Sequence, residues 1–211
     1  MKTRIPAKRI AMTLFGVILA AISVGFFKNA DFGVDPFQSF AMGLFGKFGF
    51  GLSYGTFYLL LSLVLLAADF FMDRHYIGLA TFINLFLVGY IVDFAAGLLK
   101  RIVPGPSMGI RILFLAVGIV SMCFASAFYY TADLGVSVYD AIPLYLAKRG
   151  PMKFRYIRIM ADLICILVGF LCGVTIGIGT VITAFFMGPL IDFFNVRCAQ
   201  PFLNGHGTQS R

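Results

Sequence analysis

The chain has 211 residues, of which 60% are hydrophobic and 12% charged; a soluble domain averages about 45–50% apolar and about 25% charged residues. A soluble fold of this length cannot hide so much apolar surface, so the solvent is lipid, and the sequence reads as one integral membrane domain without a separate soluble module. The net charge of +8 does not mark a nucleic-acid binder, because the basic residues cluster between apolar runs, as in the cytoplasmic loops of membrane proteins.

Lys2, Arg4, Lys8 and Arg9 precede an apolar run from Ile10 to Phe27. The run is longer than the apolar core of a signal peptide, and Lys28-Asn29-Ala30 places a lysine where cleavage needs a small residue, so it reads as a retained transmembrane helix. Long apolar segments recur near 7–28, 53–72, 76–99, 110–130, 156–173 and 176–196. Each is about long enough to cross a hydrocarbon core of about 30 Å. Two shorter apolar segments lie at 36–47 and 137–148; helices of that length reach only about 18 Å. The expected fold is an all-α polytopic bundle.

The order long, short, long, long occurs twice. At an offset of 102, Ala30-Asp31-Phe32-Gly33-Val34 matches Ala132-Asp133-Leu134-Gly135-Val136 at four of five positions, and Gly16 meets Gly118. At an offset of 99, Ile77-Gly78 matches Ile176-Gly177, Thr81 matches Thr180, Phe86 matches Phe185, and "GYIVDF" matches "GPLIDF". The expectation is two repeats, about 10–99 and 110–196. In each, a long helix ends at an Asp, a glycine permits a turn, and a short helix begins. Asp35 is expected to cap the first short helix, with Pro36 at its first position and Gln38 completing a capping box. Ser137 and Asp140 take the corresponding places in the second.

The distribution of basic residues bears on whether the short helices cross. If they do not, twelve basic residues lie inside and five outside (Lys28, Lys47, Lys100, Arg101 and Arg111). If they do, fifteen lie inside and only Lys28 and Arg74 outside. The positive-inside rule favours the second count, in which the repeats point the same way. Both counts place both termini in the cytoplasm.

Catalytic motifs are not convincing. "GLSYG" (Gly51 to Gly55) fits GxSxG but lacks the strand and the Asp and His partners that such a nucleophile needs; Ser53 reads as a helix cap. Cys123, Cys165, Cys172 and Cys198 form no CxxC, and His75 and His206 are too few for a metal cluster. Neither a cofactor nor a metal is expected, nor enzymatic activity.

The candidate binding residues surround the breaks: Asp31, Asp35, Gln38, Ser39, Asp133, Ser137 and Asp140, with Lys28 and Tyr139 nearby. Discontinuous helices in repeated membrane proteins commonly line a central site, and short-helix N-termini offer unpaired N–H groups. Thr81, Asn84, Thr180 and Thr183 recur on the last helix of each repeat, either facing the same interior or bonding across packed helices. An Asp at the centre of a membrane helix costs about 2.5–3.5 kcal/mol on insertion scales, so it needs a partner, water or a role. Asp162 has Arg158 one turn before it, which suggests an ion pair near the cytoplasmic surface. Asp93 and Asp192 occupy equivalent places, as structural contacts to basic groups or as gating carboxylates. "GFLCG" (Gly169 to Gly173) is a GxxxG expected to pack within the bundle, with dimerisation as the alternative.

The combination "GVDPF", "GLSYG" and "DRHYIGLATFINLFLVGYIVDF" resembles the YczE/YyaS/YitT group of bacterial integral membrane proteins. Gly33, Pro36, Gly51, Gly55, Gly78, Thr81, Asn84, Gly89 and Asp93 stand where that pattern has its punctuation, and Val138 departs from it at the place of Pro36. The resemblance implies a multi-pass protein of the bacterial inner membrane and names no substrate. The expected function is a small secondary transporter or permease of a small solute or ion. The alternative is a membrane scaffold or accessory protein. The expected partners are the lipid bilayer and that solute, and association into a homo-oligomer stays open.

Overall fold

The computed structural model describes residues 7–204 apart from 34, 50, 53 and 175, so the expected Ser53 cap and His206 lie outside the described residues. All regular structure among those residues is helical: α1 (Ala7–Ala30), α2 (Pro36–Phe48), α3 (Tyr54–Met72), a 3-10 turn (Arg74–Tyr76), α4 (Leu79–Phe86), α5 (Val88–Ile102), α6 (Met108–Ala132), α7 (Val138–Arg149), α8 (Phe154–Leu171) and α9 (Ile178–Phe194). A π turn (Asn195–Ala199) carries α9 into α10 (Gln200–Asn204).

Among the described residues three helices are long and apolar enough to span a bilayer: α1, α6, and α9 with its continuation to Asn204. The α4–α5 pair, bent by 52°, makes a fourth if counted as one span. Six long apolar segments were expected. Of the other two, α3 is a shorter apolar helix, and α8 carries Arg155, Arg158 and Asp162 within its 18 residues.

The bundle is organised around α1 and α6, which run antiparallel. Arg9 meets Ala132, Gly16 meets Ala125 and Tyr129, Ser23 donates to Ser121 at 2.8 Å, Phe27 meets Gly118, and Ala30 meets Arg111. As one number rises the other falls. Gly16 and Gly118 sustain this close approach, because a Cβ at Gly16 would lie 2.8 Å from the Ala125 carbonyl and one at Gly118 would lie 2.8 Å from the Phe27 ring.

This pairing corrects the charge count, since repeats pointing the same way would need α1 and α6 to be parallel. The count treats every cation as free, whereas Lys28 is paired with Asp93 and Arg111 with Asp31 and the end of α1.

The breaks at Asp31 and Asp133 therefore lie at opposite ends of the α1–α6 pair. We call the end holding Ala7 and Asn204 the terminal face, where Lys8 donates to the Leu203 carbonyl at 3.2 Å. The first break leaves from the opposite face, and α2 returns toward it, Gly43 seating against Cys172 just beyond the last turn of α8. The second break leaves from the terminal face, and α7 returns there, Lys148 resting over the Tyr76 ring. Each short helix therefore ends toward the face from which its break leaves.

Both breaks use left-handed backbone: φ is 55° at Asp31 and 57° at Asp133, followed by 112° at Gly33 and 92° at Gly135. Aspartate tolerates this region better than most side chains, and glycine enters it freely. Each break then docks on the last long segment of the other half. The amide of Gly179 donates to the Phe32 carbonyl at 2.9 Å, and that of Ala80 to the Leu134 carbonyl at 3.0 Å.

Candidate functional site

The first turns of α2 and α7 meet inside the bundle. Phe37 and Tyr139 stack with ring centroids 4.7 Å apart and planes 17° apart. Asp35 caps α2 as expected, accepting from the amides of Phe37 at 3.0 Å and Gln38 at 3.3 Å, with Pro36 opening the helix. Ser137 caps α7, accepting from the Asp140 amide at 3.2 Å.

Asp140 was expected to serve that cap, but its carboxylate turns inward. It accepts from the Tyr129 hydroxyl and pairs with Arg158 of α8. The Arg158 guanidinium also donates to Asp162 at 3.2 Å, contacts the Tyr130 hydroxyl at 3.4 Å, and lies over the Tyr139 ring at 4.7 Å. The Tyr139 hydroxyl donates to Asp162 at 2.6 Å. The expected Arg158–Asp162 pair therefore exists, but in the interior rather than near the surface: Asp162 is 0% and Arg158 7% exposed.

Asp35 lies within charge range of both Asp162 and Arg158. Cys123, near mid-length of α6, also lies within range of Arg158, which places the cluster deep in the bundle. Asp69 of α3, 2% exposed, lies within charge range of Asp140. The guanidinium thus pairs with two buried carboxyl groups, Asp140 and Asp162, while half-buried Asp35 lies within its charge range and Asp69 faces Asp140. A buried charge is tolerated only when paired and hydrogen-bonded. The cluster's surplus of acid suits a cation, a proton or the ammonium of a zwitterion.

The remaining predicted residues divide by place. Asp31 and Asp133 do not join the cluster; each forms a latch at its own face. Arg111 donates to the Ala30 carbonyl at 2.8 Å, the Asp31 carbonyl at 2.7 Å and the Asp31 carboxylate at 3.1 Å. At the terminal face Arg9 donates to the Ala132 carbonyl at 3.3 Å and sits 3.7 Å from the Asp133 carboxylate. His75 adds a 2.7 Å contact to Asp133. Each arginine satisfies carbonyls that a helix C-terminus leaves unpaired. Arg9 and Arg111 are themselves 102 positions apart.

Thr81 clamps the second break, with Oγ1 at 2.7 Å from the Val136 carbonyl and 3.1 Å from the Tyr76 carbonyl. Thr180 packs against Gly33 at the first break. Thr183 donates to the Thr180 carbonyl at 2.9 Å, and Asn84 to the Ala80 carbonyl at 2.9 Å, so both brace their own helices. Ser39 is fully buried against Gly169, and its hydroxyl has no partner. Of the expected GxxxG, Gly169 makes that close contact within the bundle, while Gly173 faces open space.

Asp93 pairs with Lys28 at 2.9 Å, both largely exposed, and Asp192 is half-buried within charge range of Arg155 and Lys153. Neither reaches the cluster. Sequence reasoning missed Asp69, Tyr129 and Tyr130, and it treated Arg158 only as a local partner. Asp69 did leave a signal, being an acid in an apolar run with Leu65, Leu66, Met72 and Asp73 at helical spacing and so no local cation.

Among the described residues no three or more His, Cys, Asp or Glu side chains gather as metal ligands would, and the four cysteines are free. The two best-formed depressions among the described residues lie away from the cluster. One, of about 500 Å3, is an apolar groove between Leu19, Val117, Val120, Phe124 and Phe194. The other lies beside Asp93 and Arg101.

These features define a multi-pass membrane helix bundle with a buried Arg–Asp–Tyr cluster. The chain belongs to the family described as "Family of unknown function (DUF6198)", which matches residues 7–196. It is 24% identical over 187 residues to an uncharacterized protein of Haemophilus influenzae, covering 89% of this chain and 83% of that one. It is 23% identical over 179 residues to the uncharacterized membrane protein YczE of Bacillus subtilis, covering 84% and 81%. It is 21% identical over 189 residues to the uncharacterized protein YyaS of the same organism, covering 90% and 93%. No solved structure gives a significant match.

Proposed function

We propose that this chain is a small secondary transporter or permease of a small solute or ion, built from two inverted copies whose half-helices begin at one shared centre. The observation that carries this reading is the meeting of the α2 and α7 N-termini at Phe37 and Tyr139, beside the Arg158 cluster. Discontinuous helices at the interface of inverted repeats are how many transporters build a binding site at mid-membrane. The exchanged contacts support the inverted arrangement, because each break is held by the other half. The Arg111–Asp31 and Arg9–Asp133 latches then sit where two alternating gates belong, one at each face. The proposed location is the bacterial inner membrane with both termini cytoplasmic, and the proposed chemistry is non-enzymatic.

One observation favours the scaffold reading instead: neither of the two best-formed depressions opens on the cluster. A transporter would show this as an occluded state, and a scaffold would show it permanently. The test is uptake of a solute panel by the protein reconstituted in vesicles. Uptake that Asp35→Asn and Asp140→Asn abolish supports transport. A panel without uptake, together with an interior closed to thiol reagents from both faces, supports the scaffold.

A further inference from the structure

Asp69 is a second feature of the interior that the ion-pair network does not absorb. It sits on α3, one turn before the helix ends, and is 2% exposed. Its Oδ1 is buried with no hydrogen-bond partner. Its charged neighbour is Asp140, on α7, the helix that packs along α3. From α7 the other ionisable groups are Tyr139, Tyr145, Lys148 and Arg149, and from the turn beyond α3 they are Asp73, Arg74, His75 and Tyr76. From α2 there is Lys47, and from α8, behind α7, there are Arg158 and Asp162.

No cation among the described residues forms an ion pair with Asp69. Arg158 is held by Asp140 and Asp162, and His75 by Asp133. Arg74 lies over Phe70, Lys148 over Tyr76, and Arg149 over Tyr145. An ionised carboxylate buried beside another carboxylate without a cation is strongly disfavoured. With two carboxyl groups within charge range of each other and no group of three acidic, His or Cys ligands among the described residues, the site suits a proton better than a metal ion.

We propose that Asp69 is a proton-binding site, holding a proton in the closed state and exchanging it with water at the terminal face when the α3–α7 seam opens. The step is a simple ionisation: the Asp69 carboxylic acid gives a carboxylate and one proton, which passes to water. Loss of the proton adds a second negative charge beside Asp140 and favours the open seam; its return restores closure. The use of this site as the coupling step rests on the transporter reading above, whereas the proton itself is detectable without any solute.

The experiment is infrared difference spectroscopy of the full-length protein in lipid nanodiscs, between neutral and alkaline buffer, in H2O and D2O. The expected result is the carbonyl band of a buried protonated carboxylic acid, lost in Asp69→Asn, displaced in Asp69→Glu, and unchanged in the control Asp93→Asn. A band that survives in Asp69→Asn, or no such band in the unmodified protein, overturns the site. Titration with sodium at fixed pH should leave the band alone; removal of the band by sodium would mean a cation site and overturn the assignment. If the band behaves as expected but vesicles show no solute-linked proton movement, the proton site stands and the transporter reading falls. If uptake is found while Asp69→Asn leaves the band unchanged, the reading stands and this site falls.

Discussion

Phe37 and Tyr139 stack face to face with centroids 4.7 Å apart, although one opens a helix entered from the opposite face and the other a helix entered from the terminal face. Their contact brings two half-helices to a common point and sets Tyr139 between Phe37 and the Arg158 guanidinium. The geometry around that point makes specific demands on the residues nearby.

Arg158 neutralises two buried carboxylates, Asp140 and Asp162. Replacing it by methionine leaves both uncompensated, and breaking a buried pair from one side costs about 3–5 kcal/mol. Arg158→Met should therefore melt well below the unmodified protein in detergent. Adding Asp140→Asn and Asp162→Asn to it should recover much of the loss. A triple variant no more stable than Arg158→Met would show that packing, rather than charge, holds this region.

Gly78 and Gly177 receive the backbone of the breaks. A Cβ at Gly78 would collide with the Leu134 carbonyl, and one at Gly177 with the Phe32 carbonyl. Backbone atoms cannot swing aside, so Gly78→Ala and Gly177→Ala should each lose at least about 1–3 kcal/mol, the usual range for overpacking. Gly46→Ala and Gly97→Ala, which meet open space, should melt like the parent protein.

Thr81 holds the second break through contacts to Val136 and Tyr76. Thr81→Val keeps the shape and removes the hydroxyl, leaving buried backbone groups unsatisfied at a cost of about 1–3 kcal/mol. Thr81→Ser should retain most of the stability. Equal melting temperatures for the two variants would contradict the clamp.

The latches should report opposite faces. In a cysteine-free background, Asp31→Cys and Asp133→Cys should react with a membrane-impermeant thiol reagent from opposite sides of oriented vesicles. Labelling of both from one side would contradict the antiparallel α1–α6 pair.

The Lys28–Asp93 pair is exposed on both sides, and exposed pairs contribute about 0–1 kcal/mol. Asp93→Asn should leave melting within that range at physiological salt, and it should leave any uptake intact. Loss of uptake in this variant would restore Asp93 as a gating carboxylate.

By itself the sequence determined the solvent, the helical class and the punctuation. Composition demanded lipid. Apolar runs located the helical segments, though not which of them are long enough to span, and Asp35-Pro36 announced a capped helix that is present where expected. These are local or summed properties, so they are legible one residue at a time. Tertiary structure alone decided that Asp31 and Asp133 end at opposite faces, because a charge count cannot see which cations are already engaged. It alone made Arg158 the centre, since the partner Asp140 is 18 residues away and only the packing of α7 on α8 joins them. Asp69 gained its meaning the same way: a lone acid in an apolar run is visible from sequence, but the carboxylate it faces comes from another helix.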